Sequence, residues 1–563
     1  MVPWLQKTAH TVAVAVQSST TGCTPCRQPC LASWISVKRK HDACAGTMVA
    51  SVPGCCKVGV SAAVSSVPGL ICNACVYHLQ MAIRHELSQL LQLPDPCLLA
   101  VLRHCASDLV SLFSAARAHS RLHQAAVTAL NRITVGPFWQ QERVEGLLTY
   151  LAEHGRHVDS IDLMGHEHAQ SMLRQLPDHV NPSSLKLSHL ELQLQPGSGF
   201  QGVVRPGVPL KQLQLRDCEL LDGDKGLAAA LVLLPGLQHL SVSMTRWAFS
   251  GGFSFPTVAL SALQQLTHLE LVGVEVYGPD EGGAALQPLR SLTRLQDLRL
   301  SLAAGAALDS RMFAVSQQLT RLKLLGRAVL GPGALAAVTQ LQHLEVAMYD
   351  SSARTVGLAG LLSELQHVRQ LTYLQCYCDV SDEASPVPAA AFSALTASSM
   401  LQHLHISRCT LPAGVWQHVF PAGRQLPELQ YLDISYVKQP GHGPAPAPEG
   451  TRLVSCYPGL QRLHMQQLQC SAERLASLAG LSKLHTLYLA DGTQVQGVEA
   501  VCQLTGLREL TIDSPKTPQG LLLQLAQLKQ LTHLFFSTTG TTELMGALWG
   551  LQTVENLRSE VSW

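Results

Sequence analysis

Two sets of residues in this chain have types and spacings that could do chemistry. The first is cysteine. Cys23/Cys26 and Cys72/Cys75 are Cys-x-x-Cys pairs, with Cys30, His41 and Cys44 between them. Four thiolates suffice for a tetrahedral zinc site, and each pair has the internal spacing such a site uses. Yet 45 residues separate the pairs, with no strand or turn pattern to bring them together. The plainer reading is a tail of unassembled thiols, and no metal is expected. The second set is histidine. His189, His239, His268, His343, His403 and His533 each stand two residues after a leucine, in nearly repeated words such as LQHL and LTHL. A row of imidazoles could ligate a metal or sense pH near 6. Duplicated words carry their histidines along without selection for them, so a solvated face is the expected role. The glycine groups at 197–199 and 251–252 lie in no phosphate-loop or dinucleotide-loop context, and neither H-E-x-x-H nor G-x-S-x-G occurs. No catalytic residue and no cofactor is expected.

The elements that carry these residues come from one repeated pattern: Leu, two residues, an aliphatic, one residue, an aliphatic. Copies begin at Leu130, Val158, Leu187, Leu210, Leu237, Leu266, Leu295 and Leu319. They continue at Leu341, Leu371, Leu401, Leu429, Leu460, Leu484, Leu507 and Leu531, with a decayed copy at Val554. Positions four and six are apolar; positions three and five are nearly always polar. That alternation is a short strand with one buried and one wet face. Between strands, GALAAVTQL (333–341), AERLASLAGLSKL (472–484) and GLLLQLAQLKQL (520–531) repeat leucine at helical steps. Strand, turn, helix, turn, repeated, predicts a parallel sheet backed by short helices, each unit buried only by its neighbours. The Gly/Pro-rich segment 438–450 reads as an exposed loop.

This array, about 130–563, resembles the leucine-rich-repeat family. The resemblance implies an α/β solenoid of horseshoe form, with the parallel sheet on the concave face and short helices on the convex face. Position nine departs from the family pattern: Cys218 and Cys409 fit it, but Val274, Ala303 and Gly492 do not. The ladder that usually closes the ascending turn is therefore mostly missing.

The chain has 563 residues, 47% apolar and 14% charged, with 40 basic against 39 acidic side chains. The near-neutral balance argues against nucleic acid as partner. No acid precedes Asp42, so residues 1–87 have the acid-poor, Ser-rich composition of a targeting or disordered tail. Scattered cysteines beyond it suggest reduced thiols and a cytoplasmic protein, with nucleus, organelle and cilium left open. Val58–Ile83 lacks charge but holds Pro68 and several serines, so no membrane span is expected.

Residues 88–129 read as two or three short amphipathic helices. Leu93-Pro94, Leu98-Leu99-Ala100-Val101-Leu102, Asp108-Leu109 and Ala116–His119 follow the order of an F-box, with His119 where that family usually has Trp. The resemblance implies docking on a Skp-type adaptor and a cullin through Leu93, Pro94, Leu98, Leu99, Leu102 and Leu109, with Leu98 and Leu102 on an exposed helix face. The chain would then be the substrate-recognition subunit of a ubiquitin ligase. The alternative is a scaffold of cytoplasm or cilium, in which 88–129 only caps the array. Either way the repeats are expected to bind a protein. Protein contacts favour Tyr, Trp and Arg, which gather on the wet face of copies 371–489. Tyr373, Gln375, His403, His405, Tyr431, Asp433, Arg462, His464 and Tyr488 are the expected partner surface.

Overall fold

The computed structural model describes residues 131–561 apart from 166, 193, 196–198, 201–208, 221–222, 245–253, 278–283, 303–306, 314–315, 327–328, 349–353, 379–386, 440–442, 491–493, 496–497, 514–523, 526 and 539–555. Before residue 131 it describes Gln92, Leu98 and Ala125. The thiol pairs of the tail, and Leu93, Pro94, Leu99, Leu102 and Leu109, lie outside the described residues. Leu98 is in a helix and fully buried. This corrects its expected place on an exposed face: apolar residues at helical spacing mark a face that needs cover without saying what covers it. The chain divides into two compact units, 1–133 and 134–563.

One sheet of 17 strands runs through the repeats. Its first strands are β1 (Arg132–Val135), β2 (Ser160–Met164), β3 (Ser184–Ser188), β4 (Gln212–Arg216), β5 (His239–Ser243) and β6 (His268–Val272). Then come β7 (Asp297–Leu302), β8 (Arg321–Gly326), β9 (His343–Met348), β10 (Tyr373–Cys378), β11 (His403–Ser407) and β12 (Tyr431–Ser435). The last are β13 (Arg462–Gln466), β14 (Thr486–Ala490), β15 (Glu509–Asp513), β16 (His533–Thr538) and β17 (Asn556–Val561). From β2 onward each strand pairs in parallel with the next, the position-four leucine opposite its counterpart, as in Leu374 to Leu404 to Leu432. Those leucines, from Leu185 to Leu534, are at most 1% exposed. The protein is an α/β leucine-rich-repeat solenoid.

One copy sits in a different register from the sequence reading. β3 places Leu185 and Leu187 inward, so the copy begins at Pro182 and not at Leu187. Leu190 and Leu192 are buried just beyond it, Leu192 in a two-residue strand paired with Glu219–Leu220, which lets 187–192 imitate the strand pattern. His189 consequently leaves the wet strand face. Its φ of 55° is left-handed.

That left-handed residue is how the ascending turn closes. His189, Asp217, Arg408, Tyr436 and Gln467 all stand at position eight with φ between 50° and 56°, and Gly273 joins them at 66°. The N–H of each of the first four donates to the end of the next strand: His189 to Arg216 O at 2.8 Å, Asp217 to Ser243 O at 2.7 Å, Arg408 to Ser435 O at 3.0 Å, Tyr436 to Gln466 O at 2.9 Å. Position nine then turns inward, where Leu190, Cys218, Val274, Cys409, Val437 and Leu468 are at most 3% exposed. Main-chain bonds and apolar burial do the work of the missing side-chain ladder. At the other end of the strand, threonine at position two ties copies together: the Thr267 and Thr372 hydroxyls each donate at 3.1 Å to the position-two carbonyl of the preceding copy.

The backing layer varies. α-Helices stand at Gln141–His154 and Arg354–Leu365, and Ala472–Ser477 is helical as expected. Thr257–Ala262, Ala284–Ser291 and Ala389–Thr396 wind as tighter 3-10 helices. GALAAVTQL is not a helix but a run of turns, because its copy is only 22 residues long. Glu364, at the end of the next helix, secures those turns. Its carboxylate accepts from the Gly333 N–H at 2.7 Å and the Leu335 N–H at 2.9 Å, and the residue is 2% exposed. In 520–531, Gln524 and Leu525 are helical. The 438–450 segment is also corrected. Ala445 and Ala447 are buried, and the Pro446 carbonyl accepts from the Trp416 indole at 2.7 Å. The indole so held stacks on Phe420, whose ring meets Tyr457 edge-on.

Candidate functional site on the open face of the sheet

Side chains at positions three and five stand on the sheet face turned away from the backing layer, because strand residues alternate. Register places Arg321, His343, Tyr373, His403, Tyr431 and Arg462 side by side on β8 to β13. The position-five row beside them runs Gln375, His405, Asp433, His464, Tyr488 on β10 to β14. All nine residues expected from the sequence therefore occupy one contiguous patch.

The rings within it touch in succession. His343 stacks on Tyr373 at 4.0 Å between centroids with planes 10° apart. Tyr373 meets His403 at 5.8 Å, and His403 meets Tyr431 at 5.7 Å. The line then crosses to position five, with Tyr431 to His464 at 5.0 Å and His464 to Tyr488 at 5.2 Å. His343 and Arg321 lie outside the surface expected from sequence and adjoin it in register. Their signal was position three of the two copies preceding Tyr373.

Asp433 anchors the patch. It is 7% exposed, and its carboxylate accepts from the Tyr431 hydroxyl at 3.1 Å and from the Ser435 hydroxyl. His405 and His464 flank it, Nδ1 at 3.7 and 3.9 Å from Oδ2. The Tyr431 hydroxyl is also 3.2 Å from His464 Nδ1. Burial, reinforced by the Asp433 charge, raises the Tyr431 phenol, so it remains a donor. Tyr373 is raised by burial and then by the charges of Glu345 and Asp433. Its hydroxyl donates to Gln375 at 2.6 Å. These bonds hold the two tyrosine rings in place before any partner arrives.

The earlier strands differ. Ser241 donates to Glu270 at 2.7 Å, Arg299 lies 3.4 Å from Asp297 and 3.7 Å from Glu270, and Lys323 pairs with Glu345 at 2.7 Å. That half is charged and internally paired. His239 and His268 stack there at 4.2 Å. Among the described residues no group of three or more His, Cys, Asp or Glu is arranged to hold a metal, and no helix is long and apolar enough to cross a membrane.

Burial lowers the imidazoles of His239, His343, His403 and His464 from their ordinary 6.5, since a half-buried ring resists protonation. The unfolded chain therefore takes up protons first as pH falls. Stability from these rings is complete above about pH 6.5 and lost below it. The denaturant midpoint is expected to drop between about pH 7.5 and about pH 5, less so in His343→Gln with His403→Gln. An equal drop in both proteins would contradict this origin.

No protein-family model matches the chain, and no curated protein matches it. Among solved structures, it is similar to an internalin from Listeria monocytogenes, at 14% identity and a TM-score of 0.37, covering 75% of this chain and 95% of that one. It is similar to a leucine-rich-repeat protein of Leptospira interrogans at 15% identity and a TM-score of 0.41, covering 71% and 100%. A third similarity is to TLR13 in complex with single-stranded RNA, at 15% identity and a TM-score of 0.42, covering 78% and 63%.

Proposed function

We propose that this chain is a protein-binding solenoid whose partner docks on the open face of β8 to β14. The observation that carries the reading is the unbroken line of rings from His343 to Tyr488. Aromatic side chains present much area for few rotatable bonds, and here hydrogen bonds already hold Tyr373 and Tyr431, so ordering costs on binding are small.

On the F-box resemblance of 88–129, the chain serves as substrate-recognition subunit of a Skp–cullin ubiquitin ligase in the cytoplasm. The repeats hold a substrate protein and the helical segment holds the adaptor, raising local concentration without chemistry of its own. A second reading is a scaffold without ubiquitin role, in which 88–129 serves stability. The full burial of Leu98 supports that second reading.

One experiment tests both levels. The full chain, Tyr373→Ala with Tyr431→Ala, and Gln212→Ala with Ser241→Ala are each used to capture interactors, identified by mass spectrometry. Loss of interactors confined to the tyrosine variant is expected. Equal loss, or loss only in the early-strand variant, means the face is wrongly chosen. Adaptor and cullin retained in all three eluates support the ligase reading; their absence from all three leaves the scaffold.

A further inference from the structure

The proposed docking face has a charge pattern that narrows its partner. Arg321 and Arg462 flank the ring stretch of the position-three row, with Asp297 in register beyond the first and Thr486 beyond the second, and both are exposed. Among the described residues neither side chain has a hydrogen bond or ion pair. The acids around them are occupied: Asp297 by Arg299 at 3.4 Å, Glu345 by Lys323 at 2.7 Å, Asp433 by Tyr431 and Ser435, and Glu509 by the Thr486 hydroxyl at 3.1 Å. Between the two arginines stand His343, Tyr373, His403 and Tyr431.

Resting on the docking face just assigned, we propose that it takes an extended acidic peptide lying across the strands, with one carboxylate on Arg321, one on Arg462, and ring or proline side chains on the four rings between. Five strand steps of about 4.8 Å put the arginines about 24 Å apart. An extended chain covers that in about seven residues. Each guanidinium can take a carboxylate through two parallel N–H bonds. The lowered imidazoles of His343 and His403 keep the middle of the row uncharged at neutral pH. A single-stranded nucleic acid fits less well. It presents phosphate at every nucleotide and needs cations along its whole path, whereas this row has four consecutive positions without a lysine or arginine, bordered by Glu345 and Asp433.

The test is selection from a randomised peptide display library on the full-length chain, with R321Q/R462Q as parallel bait. Both substitutions are at exposed positions and leave the fold intact. Enriched peptides are expected to carry Asp or Glu about six to eight residues apart, with Tyr, Phe, Trp or Pro between. A selected peptide should weaken about tenfold or more on the double variant and weaken with salt. No enrichment, enrichment without acids, equal binding to the double variant, or tighter binding of an oligothymidylate strand each overturns the proposal. Failure here with interactors still lost from the tyrosine variant removes the charge rule and leaves the docking face. Failure of both removes the face as well.

Discussion

Glu364→Ala is expected to destabilise the array by about 3 kcal/mol and to loosen the turns at 333–341 first. The carboxylate holds two main-chain donors, Gly333 and Leu335, in a place where Leu335 is 0% exposed. Alanine leaves both N–H groups buried without an acceptor. Removing one partner of a buried hydrogen bond costs more than the bond is worth, because the remaining group is denied water as well. Glu364→Gln should cost less: its amide oxygen can still take one donor, while its NH2 faces the other. Hydrogen exchange separates the cases, since protection should fall at 333–341 and in β8 and β9 before it falls at β14. A change within about 0.5 kcal/mol for Glu364→Ala would mean that water or a local rearrangement replaces the carboxylate.

Leu404→Ala acts on the core itself. Leu404 is fully buried on β11, in register between Leu374 and Leu432. Loss of its side chain removes transfer free energy and leaves a cavity that parallel neighbours cannot close, at a cost of about 2–5 kcal/mol. Each repeat touches only its neighbours, so the effect should be greatest in β10 to β12 and fade along the stack. Uniform loosening of the whole array would contradict a one-dimensional solenoid.

These two residues mark different depths of reading. Leu404 is one of a long series of position-four aliphatics, and its burial follows from alternation alone. Glu364 is an acid near the end of a leucine-rich helix. Nothing in its neighbours says that its carboxylate is turned inward, because its partners belong to the turn of the preceding copy.

The amino-acid sequence by itself determined the solenoid. A strict alternation leaves one face of every strand needing cover, and only stacking supplies it; the rise of one strand per copy then sets Tyr373, His403, Tyr431 and Arg462 in a row. Tertiary structure decided what local pattern could not carry. The start of the third copy moved to Pro182, because leucines buried beyond the strand's end imitate its pattern. The ascending turn closed with left-handed His189, Asp217, Arg408, Tyr436 and Gln467, five residue types with no shared side-chain signal, because the bond that fixes them is made by the main chain to the next strand. The Ala/Pro-rich segment after Lys438 buried its alanines and bonded the Trp416 indole, since burial depends on what lies opposite. On the open face, register brought His343 against Tyr373 and paired away the acids, leaving Arg321 and Arg462 as exposed charges flanking the rings. Whether a charge is spent or available depends on the strand beside it, and that neighbour is set by the fold.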